Sequence, residues 1–433
     1  METFTQLDPK IIEALTKLVA TLFTVISGLA TAIWAVLKLF EDRRKEREER
    51  SALDKQRLEE QRMIEKGRRS ERVAGLISEF SKTADPEVRS WTTLALSLYP
   101  EETTRLLAMS LNQFGDDTAA TVRLALVSIG APALHELIRL NRIAKLSSDD
   151  EVGELGESVE GDSENKCLLK RTQSVISELM FHLDTEVLAG EDFGELDLSG
   201  CNFQGLKFKG LSLPKCNLSG TSFKNAFIKR SNFRGASLNL TCFIKAALNE
   251  SDFTGASGEL VAIKAHMDKS HLDHAVLKNS QFDGASLNES CLNGATLDGS
   301  SLCGAQLHQA ELVKANLNGV NATKLKAKNL KCSGSKFVSA VLTEGKIPEA
   351  TFERCKMMGL KAGKIEANGS RFINCNLGGA DFSGSDLRGS EFRGCILGGA
   401  NFQGSDLADV VFHKCELTTA IFDEGVELNI DGE

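Results

Sequence analysis

Three familiar signatures are missing from this chain, and each absence removes a class of function. No domain carries the strong basic excess of a nucleic-acid binder, so direct nucleic-acid contact is not expected. The net charge is −9, and most of it lies before residue 190. Its main source is the stretch from Ser147 to Asn165, where Asp149, Asp150, Glu151, Glu154, Glu157, Glu160, Asp162 and Glu164 occur without a base. None of the 11 cysteines makes CxxC spacing. A paired-cysteine zinc site and a disulfide scaffold are therefore not indicated, and free thiols fit a reducing compartment. Finally, there is no GxxxxGK[ST] loop, no HExxH pair and no Ser/His/Asp set in a recognisable setting. Neither catalysis nor a cofactor is expected.

What the chain does have is a period of five. From Phe193 onward a small residue, a polar one, Leu or Phe, and two further polar or glycine positions recur. Ala315-Asn316-Leu317-Asn318-Gly319 and Ala380-Asp381-Phe382-Ser383-Gly384 are examples. Central positions run Phe193, Leu198, Phe203, Phe208 and onward to Ile263, then Met267, Leu272, Leu277, Phe282 and onward to Phe422. The step from Ile263 to Met267 is four, which places a one-residue deletion there. Five matches neither the strand period of two nor the helix period of 3.6, and a fixed short period means a solenoid. A second spacing is laid over the first. Cys355, Cys375, Cys395 and Cys415 recur every twenty residues, as do Phe352, Phe372, Phe392 and Phe412. Four pentapeptides therefore make one coil with four faces, and like residues stack in ladders at the ~4.8 Å spacing of paired strands.

The central Leu/Phe is the one consistently apolar position and must point inward, together with the small residue two before it. Five units invert the order: Val320/Ala322, Leu325/Ala327, Leu330/Cys332, Leu360/Ala362 and Ile365/Ala367. Inversion keeps the summed volume, as a close-packed core requires. These motifs, over residues 191–425, resemble the pentapeptide-repeat family. The resemblance implies a right-handed quadrilateral parallel β-helix. It also implies a kind of relative that mimics DNA and binds topoisomerases. Those mimics are strongly acidic along the rod, whereas residues 191–433 here are nearly neutral.

Residues 18–37 form an uncharged run long enough to cross a membrane as a helix, with Trp34 near one end as interfacial aromatics are. Lys38, Arg43, Arg44, Lys45 and Arg47 follow it, against Lys10 and Lys17 before it. The positive-inside rule then puts everything after the span in the cytoplasm. Thr21, Thr24, Ser27, Gly28 and Thr31 form a small-residue stripe suited to helix–helix contact, hence a homo-oligomer through residues 18–37. Beyond it, pairs such as Glu41/Lys45 and Glu46/Arg50 have the spacing of a solvated helix. Asp85-Pro86-Glu87-Val88-Arg89 with Leu94, Ala95 and Leu98 is similar to a HEAT-type helical repeat. So is Thr121-Val122-Arg123-Leu124-Ala125 through Gly130-Ala131-Pro132-Ala133-Leu134 and Leu137. Such helices stack into protein-binding surfaces. Leu169, Ile176, Leu179, Leu183 and Val187 form the apolar face of a last helix, placed to cap the open end of the rod.

The expected organisation is thus α plus β-solenoid. A membrane helix (1–40), a charged helical stalk (41–72), a HEAT-like module (73–146) and an acidic linker (147–165) come first. A capping helix (166–190), the β-helix (191–425) and a tail (426–433) follow. Two side-chain groups are candidate sites. His266, Asp268, His271, Asp273 and His274 are donors suited to a divalent metal. They lie at outward positions, so the plainer reading is polar surface at an irregular rung. Lys324, Lys326, Lys328, Lys331 and Lys336 have no acid among them, and a step of twenty stacks Lys326 with Lys346 and Lys336 with Lys356. Lys326, Lys336, Lys346 and Lys356 are candidate partner-binding residues for an anionic surface, with the acidic linker as an intramolecular alternative. The cysteine ladder fills the small inward slot, where Cys acts as a compact hydrophobe. The chain reads as a membrane-anchored scaffold for protein partners, with a nucleic-acid-mimicking competitor of a DNA enzyme such as a topoisomerase as the alternative.

Overall fold

A computed structural model describes residues 9–82, 85–111, 116–149, 160–184, 186, 188 and 191–431. The chain divides into two compact units, Met1–Ser78 and Glu79–Glu433.

The first unit is built on α1 (Pro9–Lys82), a single helix of 74 residues. The helix runs without a break through residue 73, where the charged stalk was expected to give way to the helical module, and the division between the units falls at Ser78/Glu79. Gly67 and Gly75 are isolated, and a lone glycine weakens a helix by only about 1 kcal/mol without ending it. The next helix begins with a firm start signal instead. Asp85 accepts the Glu87 N–H at 2.9 Å and Pro86 takes the first helical position. Along the apolar run Leu18, Phe23, Ile26 and Trp34 are all exposed. The hydroxyls in it bond back into the helix: Thr21 to Lys17 O, Thr24 to Ala20 O, Ser27 to Thr24 O and Thr31 to Ser27 O. Lys38 Nζ lies 5.2 Å from the Trp34 ring centroid. In the charged part, Lys45 pairs with Glu41 at 3.4 Å and Arg69 with Glu65 at 2.7 Å.

The second unit opens with α2 (Pro86–Ser97), α3 (Pro100–Ser110), α4 (Asp116–Ile129), α5 (Ala131–Asp149) and α6 (Glu160–His182). α2 packs on α3 and α4, α3 on α4 and α5, and α5 on α6. Leu96, Leu107, Val122, Leu126, Leu134, Leu137, Ile176 and Leu179 are buried between them. α5 and α6 take up both ends of the expected acidic linker, and residues 150–159 lie outside the described residues, as does Val187.

The rest is a parallel solenoid. Short strands β1 (Thr241–Cys242) and β2 (Leu260–Val261) pair, and β3 (Glu311–Val313), β4 (Lys331–Ser333), β5 (Thr351–Glu353), β6 (Arg371–Ile373), β7 (Glu391–Arg393), β8 (Val411–His413) and β9 (Asn429–Asp431) form one sheet in chain order. Phe352 lies opposite Phe372, Phe372 opposite Phe392, and Phe392 opposite Phe412. Bridges at the same step of twenty, such as Lys336–Lys356 and Val341–Lys361, run up the other faces. Four repeat units therefore make each coil, at a step of twenty except where a coil crosses the short unit described below and at the pairing of β8 with β9. β9 lies within the expected C-terminal tail (426–433). It pairs with β8 and covers an edge that would otherwise present unpaired backbone groups.

Inside, both members of all five inverted pairs are buried. Polar inward residues are satisfied by backbone: Ser300 Oγ donates to Leu277 O at 2.9 Å, Ser370 to Ile347 O at 2.8 Å and Ser390 to Ala367 O at 2.8 Å. Cys375, Cys395 and Cys415 donate to the equivalent carbonyls of Phe352, Phe372 and Phe392. The thiols thus stand where serines stand elsewhere in the rod.

The deletion is real, but it sits earlier than the sequence placed it. The short unit is Ala256-Ser257-Gly258-Glu259, after which Leu260 and Ala262 are both fully buried and Ile263 lies half-exposed in a turn. Leu260/Ala262 is a sixth inverted pair, so an apolar residue occurs at both candidate registers. Gly258 absorbs the missing residue at φ 128°, and a Cβ there would lie 2.6 Å from the Asn239 backbone nitrogen. Across this corner the register shortens by one, with Thr241 opposite Leu260.

Candidate functional site

The helical module closes the first coil through α5 as well as α6. Fully buried Asn141 on α5 donates to Asp197 O at 2.8 Å and accepts the Asp197 N–H at 3.0 Å. Arg142 donates to Asp192 O and to Gly194 O, and pairs with the Asp192 carboxylate at 2.8 Å. From α6, Gln173 Nε2 donates to Asp197 Oδ1 at 2.9 Å. The Gly194 N–H and Arg142 together hold the Asp192 carboxyl below its ordinary range. The sequence pointed to the α6 stripe; the α5 part is carried by polar residues that look like helix surface until the rod edge is set against them.

The four candidate lysines do not form one patch. Lys326 and Lys346 share one ladder, whereas Lys336 and Lys356 share another, ten residues on and so two faces away. Lys346 Nζ pairs with Glu366 at 2.7 Å. Lys336 and Lys356 are flanked in their ladder by Asn316 and Asn376 and not by acids. Elsewhere charges pair between rungs: Arg230–Glu250 at 2.7 Å, Lys331–Glu311 at 3.2 Å, Arg371–Glu391 at 2.9 Å.

The His/Asp group is likewise distributed. His266 bridges Ala247 and Ser286 on one face, and Asp268 there accepts the Asn288 N–H at 2.9 Å and the Asn249 amide at 3.2 Å. His274 occupies a corner at φ 58°. On the next face His271 Nδ1 lies 3.6 Å from Asp273 Oδ2. Directly above His271 in its ladder stands Cys291, and donor atoms of His271, Asp273 and Cys291 lie within 4.8 Å of one another. Burial, then Asp273 and Glu311, push the Cys291 thiol up from its ordinary value. Cys291 was not singled out by the sequence. The signal that finds it is the step of twenty from His271, the rule that aligned the phenylalanines.

Among the buried thiols, burial raises Cys201 and Cys216 to about 12 and Cys332 well above the ordinary thiol value. Such thiols stay protonated and unreactive.

Two descriptions of one family match the rod. Pentapeptide repeats (8 copies) match residues 216–255, 263–299 and 290–324, and a pentapeptide repeat region matches residues 345–422. The gap between 255 and 263 falls on the short unit and the inverted pair after it. The rod is built of pentapeptide repeats. Similar solved structures include HetL, a pentapeptide repeat protein involved in heterocyst differentiation regulation from the cyanobacterium Nostoc sp. strain PCC 7120. It is 23% identical, with 55% of this chain and 94% of that chain covered and a TM-score of 0.27. QnrB1, a plasmid-mediated fluoroquinolone resistance protein, is 19% identical, with 50% and 92% covered and a TM-score of 0.23. A pentapeptide repeat protein of the Arabidopsis thaliana thylakoid lumen is 21% identical, with 28% and 70% covered and a TM-score of 0.15. These likenesses concern the fold alone. No curated protein matches the chain.

Proposed function

We propose that this pentapeptide-repeat protein is a membrane-anchored, non-enzymatic scaffold that presents its rod and helical module to protein partners, with the rod in the cytoplasm. The observation that carries this reading is the apolar segment of α1. Its side chains are exposed over a window long and apolar enough to cross a membrane. Its hydroxyls bond to the helix's own carbonyls, and lipid demands that polar groups be satisfied internally. The stripe Thr21, Thr24, Ser27, Gly28 and Thr31 supports self-association within the bilayer. The rod supports a binding role, because a stack of rungs offers long, regular side-chain ladders. Pairing of its surface charges between rungs speaks against imitation of a polyanion, which needs a continuous negative stripe.

Fractionation tests the anchor. The full chain should sediment with membranes and resist alkaline extraction, and deletion of residues 18–37 should release it. Protease added outside intact cells should leave the rod uncut. The scaffold role is tested by capture from detergent-solubilised membranes with paired charge reversals. Lys336→Glu with Lys356→Glu should weaken partner capture, most at low salt. Lys326→Glu with Lys346→Glu should do less, since Lys346 is already paired. A chain that is soluble without detergent, or capture unaffected by loss of residues 191–433, overturns the proposal.

A further inference from the structure

We propose that His271, Asp273 and Cys291 form a binding site for a divalent transition metal of zinc-like preference on the outer surface of the rod. Imidazole nitrogen, carboxylate oxygen and thiolate sulfur are the donor types such ions take. Their convergence follows from the rod's own geometry. His271 is a bridge residue and Asp273, two residues on, opens the turn that follows; both side chains reach the outer surface, His271 exposed and Asp273 half-buried. Cys291 is the parallel bridge partner of His271 one rung up. The donor atoms already lie within 4.8 Å of one another, with His271 Nδ1 and Asp273 Oδ2 at 3.6 Å. Bonds of ~2.0–2.3 Å in a tetrahedron need donor separations of roughly 3.3–3.8 Å, so rotamer adjustments of about 1 Å complete the set. No change in the coil is required.

The surroundings suit a cation. Asp273 Oδ1 accepts the Asn293 N–H at 3.1 Å, which fixes the carboxylate and leaves Oδ2 turned toward His271. Ligating carboxylates are generally held by an outer hydrogen bond of this kind. Glu311, the next residue in the ladder above Cys291, adds negative potential and is itself held by Lys331 at 3.2 Å. Binding displaces the Cys291 thiol proton to solvent and forms three protein–metal bonds. The exposed edge at His271 leaves a fourth position for water or for a partner's side chain. His266, Asp268 and His274 take no part, because Asp268 is committed to Asn288 and Asn249 and the two histidines stand on another face and at a corner.

The test is a Co2+ titration of the reduced, detergent-solubilised full-length protein, followed by Zn2+ competition. A sulfur-to-cobalt charge-transfer band should appear, saturate at one ion per chain and be removed by Zn2+. Cys291→Ser should abolish the band. His271→Gln and Asp273→Asn should each weaken binding by more than about tenfold, with far-ultraviolet circular dichroism and melting temperature unchanged. Cys303→Ser and His266→Gln should bind as the natural chain does. Absence of the band, its survival in Cys291→Ser, or equal loss in Cys303→Ser overturns the proposal. Loss accompanied by unfolding in Cys291→Ser is resolved with Cys291→Ala, which keeps the small side chain; a folded Cys291→Ala that retains the band also overturns it.

Discussion

Phe372 stacks on Phe392 with ring centroids 4.8 Å apart and planes 7° from parallel, although twenty residues separate them in the chain. Each ring also meets Phe382 edge-on, at 5.9 Å and 6.0 Å. Phe392 is fully buried in this lattice, and its neighbours are held by their own rungs and cannot collapse into a void. Phe392→Ala is therefore expected to destabilise the rod by ~3–5 kcal/mol. Arg393, one residue on, points outward and pairs with Glu391 at 2.6 Å. Surface pairs contribute little, so Arg393→Ala should cost less than about 0.5 kcal/mol. Thermal denaturation of the two variants checks the inward/outward alternation, and equal losses would show it to be wrong.

Two corners behave oppositely toward side chains. A Cβ on Gly258 would meet the Asn239 nitrogen at 2.6 Å and the Leu238 carbonyl carbon at 2.8 Å, both backbone. Gly258→Ala should cost ~3 kcal/mol or more, since neither atom can yield. Leu240 sits at φ 57° with its side chain exposed. The left-handed conformation costs an L residue ~1–2 kcal/mol, and glycine's extra chain entropy returns roughly 0.5–1 kcal/mol of that. Leu240→Gly should raise the melting temperature slightly. A fall would mean that Leu240 makes a contact worth more than the strain.

Asn141 ties α5 to the first rung through both backbone groups of Asp197. In Asn141→Leu the Asp197 carbonyl retains Gln173 Nε2 at 3.3 Å, but its N–H loses its acceptor. One buried unsatisfied donor costs ~1–3 kcal/mol. Hydrogen exchange at the Asp197 amide should accelerate in the variant, with smaller changes farther up the rod. Unchanged protection at that amide would mean that the first rung is closed by other groups.

His308 Nδ1 accepts the Lys328 N–H at 3.0 Å, as Asn288 Oδ1 accepts the His308 N–H at 2.9 Å one rung below. The imidazole thus fills an asparagine's place and must stay unprotonated to do so. Burial, then Lys326, hold its pKa below the ordinary histidine value. A folded-state value below the unfolded one means that the contribution is fully present above the unfolded pKa of ~6.5. It is lost as pH falls through the folded value. The melting temperature should decline on acidification below about pH 6.5, and His308→Asn should flatten that decline. Identical acid profiles for the two proteins would remove His308 from the account.

The five-residue period, the four-sided coil and the inverted pairs were legible in the sequence because each rests on spacing, and a solenoid turns constant spacing directly into position. The apolar run of α1 was legible for the same reason, since length and the absence of charge are properties of the chain alone. Tertiary structure decided whatever depends on contact between rungs or between modules. Sequence placed the deletion between Ile263 and Met267 because both registers offer an apolar residue, and only packing shows that Leu260 and Ala262 face inward. It grouped four lysines that the coil sends to opposite faces, and five His/Asp residues of which the coil keeps two together. Cys291 joins those two only through a partner twenty residues away, and Asn141 becomes a cap only when the edge at Asp197 is brought against it. In each case the local residue pattern is compatible with more than one neighbour, and the neighbour is chosen by how the backbone of the next coil pairs.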